Sequence, residues 1–231
     1  RSSERAELQK ENDAKYWIAI GPDQWPFPIP IVKASETSWR FDTAAGIDEL
    51  LVRRIGSNEL ETILTCRAYA LAQWEYLNHG PWENDQVRKF AQKFISSPGR
   101  RDGLYWPTAE GEDPSPLGPL IGAARAEGYG SKGAPRGMEP SPYHGYQFRI
   151  LKAQGPSAAG GRYRYIINGH MIGGFALVAY PSVYGQSGVM TFIVNQQGRV
   201  YQKDLGPDTQ AMAKAMVEYN PDAGWRLVLD R

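Results

Sequence analysis

The chain has 231 residues, 42% of them hydrophobic and 22% charged, a balance that excludes global disorder and leaves room for one large or two small cores. Lys and Arg number 26 against 25 Asp and Glu, so the net charge of +1 gives no general pull toward nucleic acid or anionic lipid. A single cysteine, Cys66, excludes an intrachain disulfide, and no run of about 18 apolar residues exists to span a membrane as a helix.

Residues 1–14 are polar and charged and read as a frayed arm, and a start at Arg1 rather than Met leads us to expect a processed chain. Residues 16–20 read as a strand ended by the turn Gly21-Pro22-Asp23. In the next stretch, residues 25–33, Pro26, Pro28 and Pro30 remove three N–H donors from the same edge of an extended chain. The segment is therefore expected to pair on one side only, as an edge strand. Residues 39–41 supply a third strand, so residues 1–46 form an arm and a small antiparallel meander.

A helix is expected over residues 47–55, capped by Gly56, and a second from a capping box at Asn58 and Glu61 to about residue 78. Leu60, Ile63, Leu64, Leu71, Trp74 and Leu77 fall at helical spacing and mark its expected buried stripe, which Cys66 borders and in which Arg67 lies. Residues 85–95 read as a further helix carrying Val87, Phe90 and Phe94 inward. From 97 to 145 proline and glycine become frequent, interrupted by one short helix over about 117–127. So long a loop is functional or mobile, and Tyr105, Trp106 and Tyr143 are expected to order part of it.

The last third is strand-rich: residues 146–151, 162–167, 175–180 and 188–195, then a tight turn at Gln197-Gly198 into 199–203. Pro207-Asp208-Thr209 opens a helix, and residues 225–229 read as a closing strand. Strands that cluster instead of alternating with helices make the fold α+β, with a helix-plus-antiparallel-sheet domain over 47–231.

The chemical survey is sparse. His79, His144 and His170 stand at no metal-ligand spacing, and the sequence implies neither a metal nor a cofactor. His79 at a helix end suits the helix dipole. His144 and His170 read as polar residues satisfied at loop or strand ends. Gly185-Gln-Ser187-Gly lacks the nucleophile-elbow pattern, the glycines around His170 join two strands, and the cluster Glu110, Glu112 and Asp113 lacks the pattern of a calcium loop. The absent catalytic motif and the 7 Trp, 13 Tyr and 7 Phe favour a non-enzymatic binding module for a protein or glycan, with Tyr105, Trp106, Tyr143, His144 and His170 as candidate contacts. The alternatives are a hydrolase using His144 or His170 as general base with Asp102 nearby, and a structural part of an appendage.

Several longer strings carry a resemblance. They are Trp25-Pro-Phe-Pro-Ile-Pro-Ile-Val, Trp39-Arg-Phe-Asp-Thr-Ala-Ala-Gly46, Arg53-Arg-Ile-Gly-Ser-Asn-Glu-Leu60, Asp102-Gly-Leu-Tyr-Trp-Pro107, Asn168-Gly-His-Met-Ile-Gly-Gly174 and Lys203-Asp-Leu-Gly-Pro-Asp-Thr209. Together they resemble the bacterial family known as domain of unknown function 2950. That resemblance implies an exported protein of the periplasm or envelope, with a trimmed start, and it implies no catalytic role. The order of helix, loop, Gly-Tyr-x-Phe strand and hairpin is also similar to the globular part of type IV pilin-like proteins, without their apolar N-terminal half-helix.

Overall fold

The structure is a computed structural model describing residues 6–80, 87–126 and 142–229. The chain divides into two compact units, residues 1–57 and 58–231. Its architecture is α+β: antiparallel sheets, one long central helix and a short C-terminal helix.

In the first unit, β1 (Ala6–Asn12) pairs antiparallel with β2 (Lys15–Ile20), so the expected frayed arm is an ordered strand from residue 6. Every β1 residue is exposed, and no apolar alternation betrays it. Its backbone ladder holds it, helped by Glu11, which accepts hydrogen bonds from Lys15 and from the Trp17 indole. β3 (Trp25–Pro26) pairs with β2, Phe27 N–H still donates to the Ile18 carbonyl at 2.7 Å, and after a bend at 28–29 β4 (Ile31–Lys33) pairs with both β2 and β5 (Trp39–Phe41). The expected edge strand is thus two short strands, the second of them internal. The reason lies in the donors: the prolines stop at Pro30, and Ile31, Val32 and Lys33 all carry N–H groups free to serve either edge.

One helix, α1 (Thr43–His79), replaces the two expected. The Asp42 carboxylate accepts the Ala45 N–H and caps its start. Gly56 sits inside it with ordinary helical backbone, since the left-handed conformation of a C-cap is absent there. A mid-helix glycine costs only about 1 kcal/mol, too little to end a helix that its neighbours continue. In the first unit, Arg53 is fixed three ways: it pairs with Glu49 at 2.7 Å, donates to the Pro26 carbonyl at 2.7 Å and lies 4.7 Å from the Trp25 ring centre.

The second unit holds the core. α1 contributes residues 58–79, α2 spans Gly118–Ala126, β6 is Tyr146–Leu151, and two small hairpins follow: β7 (Ala153–Gln154) with β8 (Tyr163–Arg164), and β9 (Ile166–Ile167) with β10 (His170–Met171). Then come β11 (Ala176–Pro181), β12 (Met190–Asn195), β13 (Tyr201–Asp204), α3 (Thr209–Ala215) and β14 (Arg226–Leu227). The main sheet runs β14-β13-β12-β11-β6, antiparallel throughout. β11 is buried at every position, so both of its faces are covered.

The face that α1 turns inward differs from the leucine stripe. Leu60, Leu64 and Leu71 are 65%, 55% and 72% exposed, whereas Thr62, Cys66, Tyr69, Ala72, Gln73 and Tyr76 are buried. Only Ile63 and Leu77 of the expected stripe pack against the core, with Trp74 partly so through its rings on Phe90 and Phe175. Polar tips decide the matter, because each finds a partner. Thr62 and Thr65 hydroxyls donate to the carbonyls of Asn58 and Glu61, and the Tyr69 hydroxyl reaches the Ala176 carbonyl at 3.4 Å. Asn58 of the expected capping box, together with its neighbour Glu59, does another job inside the helix. Asn58 donates to the Ser187 carbonyl at 2.8 Å, and Glu59 accepts the N–H groups of Val189 and Met190 at 2.9 and 3.0 Å.

Residues 87–95 are not helical. Phe90 bridges to Met171, Ile95 bridges to Tyr105, and Gln73 pairs with both backbone groups of Ala91. Residues 81–86, where the expected helix would have begun, lie outside the described residues.

Candidate functional site

The end of α1 and the segment 101–116 enclose a cleft of about 710 Å³. Backbone contacts build its wall first. Tyr105 N–H donates to the Phe94 carbonyl, Ser96 N–H to Tyr105, and Leu117 N–H to the buried Leu104. Gly103 passes so close to the backbone of 95–96 that an added Cβ would sit 2.8 Å from Ile95 C and Ser96 N, so no other residue fits. Asp102 anchors the same turn through Lys93 at 2.6 Å and the Ser97 N–H at 2.7 Å. Burial opposes ionisation of its carboxyl, but the Lys93 ammonium and the two Ser97 donors outweigh it and bring the group down to about 2.

The Tyr76 hydroxyl donates to the Arg101 carbonyl at 3.0 Å and ties the helix to this segment. Trp106 stands edge-on to the Tyr76 ring, 6.5 Å between centres, and the Arg101 guanidinium lies 5.5 Å from the indole. Arg101 also meets Glu112 at 3.5 Å, and Glu112 accepts the Ala109 N–H. Glu75, His79, Asp113, Pro114 and Pro116 also line it, with Gly80 and Gly111. The Trp106 indole nitrogen is buried and has no hydrogen-bond partner among the described residues. The arrangement presents an indole in a rim of carboxylates, a guanidinium and an imidazole, a surface suited to binding.

The structure separates the five candidate contacts. Trp106 lines the cleft, while neighbouring Tyr105 serves the wall through its backbone. The Tyr143 and His144 rings meet edge-on, 4.2 Å between centres, beside the two-residue turn His144-Gly145, with Tyr143 and Tyr146 exchanging both backbone hydrogen bonds at 3.0 Å. Positive φ at His144 (45°) and Gly145 (73°) suits a hairpin turn. His170 opens β10 after the Asn168-Gly169 turn, whose φ values of 49° and 81° are of the same kind. Asp102 bonds to Lys93 and Ser97 and to neither histidine. Sequence reasoning missed Glu75, Arg101 and Pro116 as cleft residues. It noticed Glu112, Asp113 and His79 only as a failed calcium loop and a helix end, because their convergence depends on how 101–116 folds back on α1.

Residues 1–228 match the family described as Protein of unknown function (DUF2950). The chain belongs to this family. No curated protein and no solved structure matches the chain.

Proposed function

We propose that this DUF2950 protein is an exported, non-enzymatic binding module that holds a glycan against Trp106. The observation that carries the reading is the 710 Å³ cleft that Trp106 lines with Glu75, Arg101, Glu112 and Asp113. An indole face suits the C–H-bearing face of a sugar ring, carboxylates accept its hydroxyls, and the guanidinium donates to its oxygens. The volume lies in the range of small-ligand sites. Asp102, the acid named for the hydrolase reading, bonds to Lys93 and Ser97, and this supports the binding reading over that alternative.

The test is titration calorimetry with soluble cell-wall glycan fragments and with neutral glucans, on the chain and on Trp106→Ala. Loss of the indole is expected to weaken binding at least tenfold, about 1.4 kcal/mol. Binding unchanged by Trp106→Ala refutes this site, and capture of an envelope protein in place of glycan would move the ligand class. The exported location is tested by fractionation of cells that produce the protein.

A further inference from the structure

We propose that a second cleft, between the loop 155–161 and the β12–β13 hairpin, binds a small organic ligand through an oxyanion. The cleft measures about 510 Å³ and shares no lining residue with the one beside Trp106. Its polar lining consists of Ser157, Gln197, Arg199, Tyr201 and Tyr219, with no carboxylate among the described residues.

These groups are uncommitted. Arg199 makes no ion pair and no side-chain hydrogen bond with the described residues, and the hydroxyls of Tyr201 and Tyr219 have no hydrogen-bond partner among them. Tyr219 is the notable member, because only 1% of it is exposed while it lines the cleft. Burial pushes the Tyr219 phenol above its ordinary pKa, with nearby Arg199 pulling the other way, so at neutral pH it is a protonated donor. The acids next in the chain are engaged elsewhere: Glu218 with Arg162 at 3.4 Å, and Asp222 with Lys203 at 3.8 Å and the Gly224 N–H at 2.8 Å.

The wall is organised in advance. Gln154, fully buried, donates to the carbonyls of Ala159 and Gly161 at 2.7 Å each and accepts from the Tyr165 hydroxyl at 3.1 Å. Gly155 N–H donates to the Tyr219 carbonyl, and Ser157 N–H to the Asn220 side chain at 2.8 Å. An added Cβ at Gly155 would stand 2.6 Å from Asn220, so this glycine is required. Opposite, Gly198 takes φ 71° in the turn that brings Gln197 and Arg199 to the cleft. A guanidinium fork with several neutral donors and no acceptor rim selects a carboxylate or a phosphate over a neutral polyol. Ala158, Ala159 and Pro221 leave an apolar patch for the ligand body.

The experiment titrates the full chain at low salt with glucuronate, glucose 6-phosphate and uncharged methyl glucoside, followed by calorimetry. One or both anions should bind, and which one identifies the source of the oxyanion; the neutral sugar should not bind. Arg199→Gln should weaken binding at least tenfold, and Tyr219→Phe, which keeps the ring and its packing, about three- to tenfold. No binding of either anion up to roughly 10 mM, equal binding of the neutral sugar, or full binding by Arg199→Gln overturns the proposal.

Discussion

Replacing Gln73 by leucine tests how the second unit holds its irregular segment. The Gln73 amide donates to the Ala91 carbonyl at 2.9 Å and to the Tyr69 hydroxyl at 2.9 Å, and accepts the Ala91 N–H at 2.8 Å. It pairs with Ala91 as a neighbouring strand would, and both residues are buried. Leucine preserves the volume and abandons both backbone groups. Each orphaned buried group costs about 1–3 kcal/mol, so two give about 2–6 kcal/mol, and local opening that admits water brings the expectation to about 3 kcal/mol. Chemical denaturation measures the loss, and hydrogen exchange at the Ala91 amide locates it. A change below about 0.5 kcal/mol with the Ala91 amide still protected would refute the claim that this amide organises residues 87–95.

Three further outcomes follow from the same contacts. Burial pushes the Cys66 thiol up to about 12, so a thiol reagent at mild alkaline pH should label it only in denaturant; rapid labelling of the native chain contradicts its burial. Asp102 titrates below its ordinary 3.8 when folded, so its contribution is complete above that value and is lost as pH falls toward about 2. The stability gap between the chain and Asp102→Asn should be about 1 kcal/mol near neutrality, discounted for partial exposure, and should close over that window; a gap independent of pH rejects the assignment. Gly188→Ala would drive a Cβ into the Tyr146 ring, whose hydroxyl is held by the Met190 carbonyl, and should cost about 1–3 kcal/mol by thermal melting, whereas a neutral result means that the ring can yield.

Much of the second unit was legible because its signals are local. Alternation marked β6, Gln197-Gly198 marked the turn from β12 into β13, and Pro207-Asp208 marked the start of α3. Three features were hidden for physical reasons. β1 is stabilised by backbone pairing with no buried side chain, so no periodicity records it. Gly56 carries a cap's identity without a cap's conformation, and only φ distinguishes the two. The inner face of α1 was misread because hydrophobicity ranks leucine above tyrosine, glutamine and threonine, while the core accepted the latter once their tips were bonded. Of the candidate contacts, Trp106 was named from its aromatic loop context, but Glu75 and His79 come from the distant end of α1, and only the fold brings them to Arg101, Glu112 and Asp113 of its own loop.

Gln73 and Gln154 show one strategy used twice. Each is fully buried, and each uses its amide to satisfy backbone groups of a segment that is neither helix nor regular strand. A core that recruits side-chain amides for this purpose leaves few polar groups idle, since an unsatisfied one is costly in a low-dielectric interior. An idle group is then informative when its side chain also lines a cleft. The Trp106 indole N–H meets that condition, and the second cleft, which shares no residue with the first, is lined by the Tyr219 ring instead. Their chemistry separates the two clefts: carboxylates line the one beside Trp106, whereas Tyr219 sits beside the Arg199 guanidinium, which makes no ion pair with the described residues, in a lining without acids among them. A ligand with both hydroxyls and an oxyanion would therefore be divided between them by charge, its anionic part excluded from the first cleft by Glu75 and Asp113 and drawn to the second by Arg199.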